Sequence, residues 1–307
     1  MHRTYDYLFS ILINITESRM KDVFLVLAIT GMIVLTGLMF VYVKQTTNDI
    51  PPNYLVSTLV GNISDPHSQA NFSNGFVSPN LWNFHEGNGS TTMYLYSNSS
   101  IFTKVNLSNT TQGTPVMAYS SIHFTYGLPL SLTDAITENL SSFVSFQLGQ
   151  KSYGVFNDFG YDLFLGNNSG MTFEIMILFN MTSTGYTSRY SYPIVNIPIF
   201  INGIQRNIQW RVTPIVSQTP GISGAVQFTP VQSLNSSMNC MIDFPFFFKY
   251  LESKGEISPF WSIVRLGVGS EYGTTYSSEV AYSFWMYSYF VMNGTEYQVV
   301  LPVVVGA

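Results

Sequence analysis

From about residue 56 onward, apolar and polar residues alternate in short stretches divided by Asn, Gly and Ser turns. TTMYLYS, VMAYSSIHFTY, MTFEIMILF, NIQWRVTPI and YSFWMYSYFVM are examples. A period of two sends successive side chains to opposite faces of a strand, so the pattern predicts an all-β domain, a sandwich or a barrel. One stretch breaks the period. In IDFPFFFKYLESKG, Asp243 suits a helix cap, Pro245 the first turn and Gly255 the stop, with Phe246, Tyr250 and Leu251 on an inward stripe. The prediction is one α-helix late in a mostly β chain.

A different pattern comes first. Residues 23–43, VFLVLAITGMIVLTGLMFVYV, run without a charge. At ~1.5 Å per residue a helix of this length spans the roughly 30 Å hydrocarbon core of a bilayer. Arg3, Arg19 and Lys21 precede it and Lys44 follows, which keeps the N-terminus inside and sends the bulk across. No A-x-A cleavage site stands nearby, so the run is read as an uncleaved signal anchor, with a cleaved signal as the alternative. Residues 1–22 then form a short lead, residues 44–55 a Pro-containing linker, and residues 56–307 the β domain.

Composition narrows the function classes. Charged residues are 9% of the chain and aromatics 16%, which is unlike a disordered segment. A net charge of -5 offers no basic patch for phosphates and excludes nucleic acid as a partner. One cysteine, Cys240, rules out an internal disulfide framework, and His2, His67, His85 and His123 are too scattered for a ligand cluster. No metal or cofactor is expected. N-x-S/T triplets recur from Asn62 to Asn293 and fit an exported, glycosylated surface.

Few acids lie inside the predicted strands. In Met171 to Phe179, Phe173, Ile175, Ile177 and Phe179 mark the core face. Glu174 turns the other way with Thr172, Met176 and Leu178, so it sits in a partly apolar groove that tunes its pKa. An exposed Glu on an edge strand is the plainer alternative. In Trp261 to Tyr272, Val264, Leu266 and Val268 are read as buried, which puts Arg265, Gly267, Gly269 and Glu271 on the opposite face. The two glycines are expected to leave space above the sheet for a bound chain. Here the plainer alternative is a strand-end Glu before a turn. Asp162 alternates with Tyr161 and Leu163, and a strand placed beside that of Glu174 lets the two acids share a proton. Such a set suits glycoside cleavage, which needs one ionised and one protonated carboxyl. Trp82 is the first candidate for an aromatic platform, with Tyr126, Trp210 and Trp285 behind it.

At these strands the chain resembles glycoside hydrolase family 12, the compact endo-β-glucanases of clan C, in the archaeal form with an N-terminal membrane segment. The family's E-[LI]-M-I-W nucleophile strand is matched by Glu174-Ile-Met-Ile-Leu178, and its Y-D-[LI]-[FW] strand by Tyr161-Asp-Leu-Phe164. G-[TSF]-E is matched by Gly269-Ser-Glu271, the helix N-F-F-x-Y-L-x-x-x-G by residues 246–255, and N-x-W by Asn80-Leu-Trp82. The ordered set covers residues 70–295. Leu178 stands where many relatives carry a Trp, residues 83–89 differ from the usual turn, and the tail from Gln298 runs past the usual last strand.

The resemblance implies a jelly-roll β-sandwich of two curved antiparallel sheets with one α-helix. It implies a retaining endo-β-1,4-glucanase with Glu174 as nucleophile, Glu271 as acid/base and Asp162 bonded to Glu174. Asn80, Trp82 and Met176 are the expected substrate contacts, and a β-glucan the expected partner of a monomer outside the cell, held by its anchor or secreted. Two other classes remain open at this stage: a glycan-binding or coat β-sandwich, since jelly rolls recur in lectins and capsids, and an acid peptidase, for which no D-T-G-like motif is found.

Overall fold

The computed structural model describes residues 59–63, 68–84, 87–108, 116–167, 170–181, 192–217, 221–274 and 279–299. The lead, the apolar run and the linker lie outside the described residues, as do His2, His67 and His85. Among the described residues no helix is long and apolar enough to cross a membrane.

The strands are β1 (Leu59–Ile63), β2 (Ala70–Phe72), β3 (Gly75–Ser78), β4 (Asn88–Tyr96), β5 (Ile101–Ser108), β6 (Val116–Phe124), β7 (Leu130–Ser131), β8 (Ser141–Lys151) and β9 (Val155–Asn167). They continue with β10 (Gly170–Met181), β11 (Ile194–Ile201), β12 (Ile204–Ile215), β13 (Gly224–Pro230), β14 (Ser237–Asp243), β15 (Ser262–Thr274), β16 (Val280–Met292) and β17 (Thr295–Gln298). Two helices interrupt them, α1 (Leu132–Thr137) and α2 (Phe244–Ser253). The jelly roll expected from the sequence is present.

One layer has the order β2-β3-β6-β15-β9-β10-β13-β12, and the other β1-β4-β5-β16-β8-β14-β11. The two expected sheets are in fact continuous, because the β11–β12 hairpin pairs from Ile194↔Arg211 to Ile201↔Ile204 and joins them. Neighbours run antiparallel except β10 and β13, which are parallel.

Alternation decides what meets between the layers. Phe146 of β8 stacks on Phe159 of β9 at 4.2 Å between centroids, and Phe124 meets Phe290 edge-on at 5.1 Å. The Tyr161 hydroxyl donates to Ser142 Oγ across the core at 2.8 Å, satisfying a phenol that burial would otherwise penalise. The face opposite Phe159, Tyr161, Ile177 and Val268 therefore points away from the core.

Helix α2 forms where the sequence placed it, but not by the expected means. Asp243 occupies the cap position without a side-chain cap bond. Phe246, expected inward, is exposed, while Phe244, Phe247, Phe248 and Leu251 are buried. The run of three phenylalanines lets either of two stripes look apolar, and tertiary packing chose Phe247, which sits edge-on to Trp210 and Phe228. Gly255 does take the left-handed conformation (φ +71°) that ends a helix. Helix α1, absent from the sequence reading, is six residues long, too short for a helical period to show. Ser131 caps it by accepting from the Asp134 N–H at 3.0 Å, and Leu132 and Ala135 anchor it. Trp210, counted among possible platforms, is fully buried.

Candidate active site

The strand ladder lines the acids up on one face. Across β10, β9, β15, β6 and β3, Met176 pairs with Asp162, Asp162 with Gly267, Gly267 with His123 and His123 with Phe76. One row over, Glu174 pairs with Phe164, and Phe164 with Arg265. Toward the other end, Glu271 lies between Tyr119 and Asp158. Partners in register share a face. Glu174, Asp162, Glu271 and Met176 thus all turn away from the core on one sheet, as their parity required.

The face is outward, yet it is not open. Glu174 is 8% exposed, Met176 7% and Asp158 only 1%, while Asp162 and Glu271 are half-buried. Burial on an outward face means that walls rise around the acids. Charged groups so placed resist ionisation, and burial is the largest cause of a raised pKa at each of the four.

Hydrogen bonds then sort the acids into two pairs. Glu174 accepts from Asp162 and from Ser217, both of which favour its ionised form; Asp162, as donor, holds its proton well above the usual carboxylate range. Glu271 is likewise held well above that range, first by burial and then by the charge of Asp158, to which it donates. Asp158 accepts from the Glu271 carboxyl and backbone N–H, which offsets part of its burial and leaves it at about 7. Glu174 also acts on Glu271 through its charge, so the two pairs sense each other. One member of each pair is disposed to keep a proton, with Glu174 the acceptor in its pair and Glu271 the donor in its own.

Asp158 escaped the sequence reading, although the spacing Asp158, Gly160, Asp162, Phe164 on one strand carries the signal. His123 escaped it too. Its Nε2 pairs with Ser121 Oγ at 2.9 Å and its ring stacks on Phe76 at 4.5 Å. Burial and then the Arg265 charge hold it near 3, hence neutral. The space expected above Gly267 is not free: a Cβ there would come within 2.8 Å of His123 Cε1 and Nδ1, because the imidazole lies where a side chain would stand. At Gly269 a Cβ would collide with the β6 backbone at Ser120 and Ser121. The glycines serve close packing and a histidine rather than a bound chain.

Asn80 and Trp82 belong to a loop that continues the edge of β3 along β6. The Tyr119 N–H donates to Asn80 O and the Asn83 N–H to Met117 O, both at 3.1 Å, and buried Leu81 fastens the loop. The loop is thereby tied beside Tyr119, at the Glu271 end of the site, with Trp82 39% exposed. Trp285 lies on β16, in the other layer.

Several buried polar atoms here have no hydrogen-bond partner among the described residues: Glu174 Oε2, Asp162 Oδ1, Asp158 Oδ2 and His123 Nδ1. Native proteins leave few such atoms, and these four lie on one face of the sheet. Among the described residues no group of His, Cys, Asp and Glu is arranged to hold a metal ion.

The raised acids make stability depend on pH with a definite sign. Asp158 at about 7, against an ordinary 3.8, keeps a proton on folding that the unfolded chain releases. Its contribution is complete below about pH 4 and is lost as pH rises through about 7. The melting temperature should fall between about pH 4 and pH 8, and Asp158→Asn should flatten that slope by several degrees in thermal denaturation followed by circular dichroism. An unchanged slope in the variant would contradict the assignment.

The two-layer jelly roll is similar in fold to solved structures of family 12 glycoside hydrolases. A family 12 xyloglucanase from Bacillus licheniformis superposes with a TM-score of 0.58 at 21% identity, covering 76% of this chain and 100% of its own. An endoglucanase from Rhodothermus marinus gives 0.56 at 15% identity, covering 77% and 100%. The xyloglucanase domain of NopAA from Sinorhizobium fredii, solved with cellobiose, gives 0.54 at 15%, covering 75% and 100%. No family model and no curated protein matches the sequence.

Proposed function

We propose that the protein is a retaining glycoside hydrolase acting within β-1,4-glucan chains. Glu174 attacks the anomeric carbon as the Glu271 carboxyl protonates the departing oxygen. Glu271, now ionised, takes a proton from water, which releases the sugar from Glu174 with its original configuration. Asp162 positions Glu174 by hydrogen bonding, and Met176, Asn80 and Trp82 line the sugar path. The observation that carries this reading is the register that sets Glu174, Asp162 and Glu271 on one outward face of three adjacent strands, with Asp158 opposite Glu271. The family 12 fold supports the same chemistry, as do cellobiose in one structural neighbour and the xyloglucanase and endoglucanase descriptions of others.

Retention is the test. Proton NMR of the first product from a soluble β-glucan should show the β-anomer before mutarotation. A first-formed α-anomer would replace double displacement with single displacement by water, and silence over cellulose, mixed-linkage glucan and xyloglucan would return the protein to the glycan-binding class. Export and anchoring by residues 23–43 belong to the same reading, supported by the apolar run, its flanking charges and the N-x-S/T triplets. Protease accessibility of residues 56–307 in intact cells checks that part.

A further inference from the structure

Two glutamates on one face, each bonded to an aspartate, form a nearly symmetric set. Hydrogen bonding already sets them apart, since Glu174 accepts from Ser217 and Asp162 while Glu271 donates to Asp158. A charge on β15 adds to that difference. Arg265, Phe164 and Glu174 lie in register on β15, β9 and β10. The Arg265 guanidinium rests over the Phe164 ring, 5.1 Å from its centroid, above the strand that separates it from Glu174. Neighbouring strands are ~4.8 Å apart, so the cation stands within one to two strand spacings of that carboxylate. Glu271 is on the arginine's own strand but six residues further along, at the row of Asp158.

We propose that Arg265 is a positioning residue that reinforces this division of roles: pinned over Phe164, it favours the ionised Glu174 and leaves the mobile proton with Glu271 and Asp158. This rests on the hydrolase reading above. Other groups facing Glu174 act in the same direction or not at all, and none of them is a cation: Ser217 and Asp162 donate hydrogen bonds that favour its ionised form. From β9 comes Asp162, a proton donor, and from β15 the more distant Glu271. From β13, Ala225 and Gln227 are uncharged, and Ser217 donates a single bond. His123 and Tyr119 of β6 are both neutral. In keeping with the geometry, the Arg265 charge favours ionisation of Glu174 and Asp162 and has no counterpart acting on Glu271 or Asp158. Arg265 is exposed, and among the described residues no carboxylate lies within salt-bridge distance of it, so its field acts through a partly screened path.

The experiment compares pH profiles of kcat/KM on a soluble β-glucan for wild type, Arg265→Gln and Arg265→Lys, at low and high salt. The acid limb of Arg265→Gln should move to higher pH, leaving roughly a third or less of wild-type activity on that limb. Arg265→Lys should keep the wild-type limb. Salt should shift the wild-type limb in the same direction and leave that of Arg265→Gln in place. Coincident limbs for wild type and Arg265→Gln would overturn the proposal. So would an Arg265→Lys limb as displaced as that of Arg265→Gln with a raised KM, which indicates a direct sugar contact. A wild type silent on every glucan defeats the hydrolase reading instead. In that case ¹³C NMR titration of the Glu174 carboxyl, assigned with Glu174→Gln, still decides: a higher midpoint in Arg265→Gln upholds the electrostatic role, and an unchanged one refutes it.

Discussion

Glu174→Gln should lower kcat on soluble β-glucan on the order of 10³-fold or more while changing KM little. The substitution keeps the shape of the side chain and its place in register with Phe164, so the groove that binds the sugar is retained. What it removes is the capacity to form a glycosyl ester. An amide oxygen is a poor nucleophile, and the hydrogen bonds from Ser217 and Asp162 that favour a negative charge then act on a neutral group. Burial opposes ionisation at this position, so the neutral variant should also be no less stable near pH 7 than wild type. Reducing-sugar assays with matched circular dichroism spectra check both halves. A variant that keeps more than a tenth of wild-type activity would remove Glu174 from the role of nucleophile.

The strands and the facing of the acids were readable because both follow from a local rule, the two-residue alternation along a strand. Glu174 could be set opposite Ile175, and Asp162 opposite Tyr161, without knowing what lay beside them. Neighbours were another matter. That β9 lies between β10 and β15, and so carries acids to both Glu174 and Glu271, is fixed by long-range pairing that no local pattern records. Asp158 was missed for this reason: its parity was visible, but its meaning depends on Glu271 standing opposite it. The error at Gly267 has the same origin, since the His123 ring that fills the space comes from β6. On α2 the local pattern was ambiguous rather than silent, because consecutive phenylalanines fit two stripes and only contact with Trp210 and Phe228 separates them.

Glu271→Ala tests the other half of the division of labour, and its signature is a dependence on the leaving group. Loss of the proton donor should slow cleavage of an unactivated glucan by about 10²- to 10⁴-fold. An aryl glycoside with an acidic phenol needs little protonation, so its first step should be nearly spared and a glycosyl-enzyme should accumulate on Glu174. Water then lacks its base. Azide, a small anion that needs none, should enter the space left by the carboxyl and restore turnover, giving a β-glycosyl azide by a second inversion at the anomeric carbon. Asp158 complicates the design: freed of its donor, it stays buried beside the gap and is itself able to carry a proton. The double variant Glu271→Ala with Asp158→Asn removes that substitute and should deepen the loss on glucan while leaving azide rescue intact. Equal losses on glucan and on the activated glycoside, with no response to azide, would mean that Glu271 supports the sheet rather than the reaction.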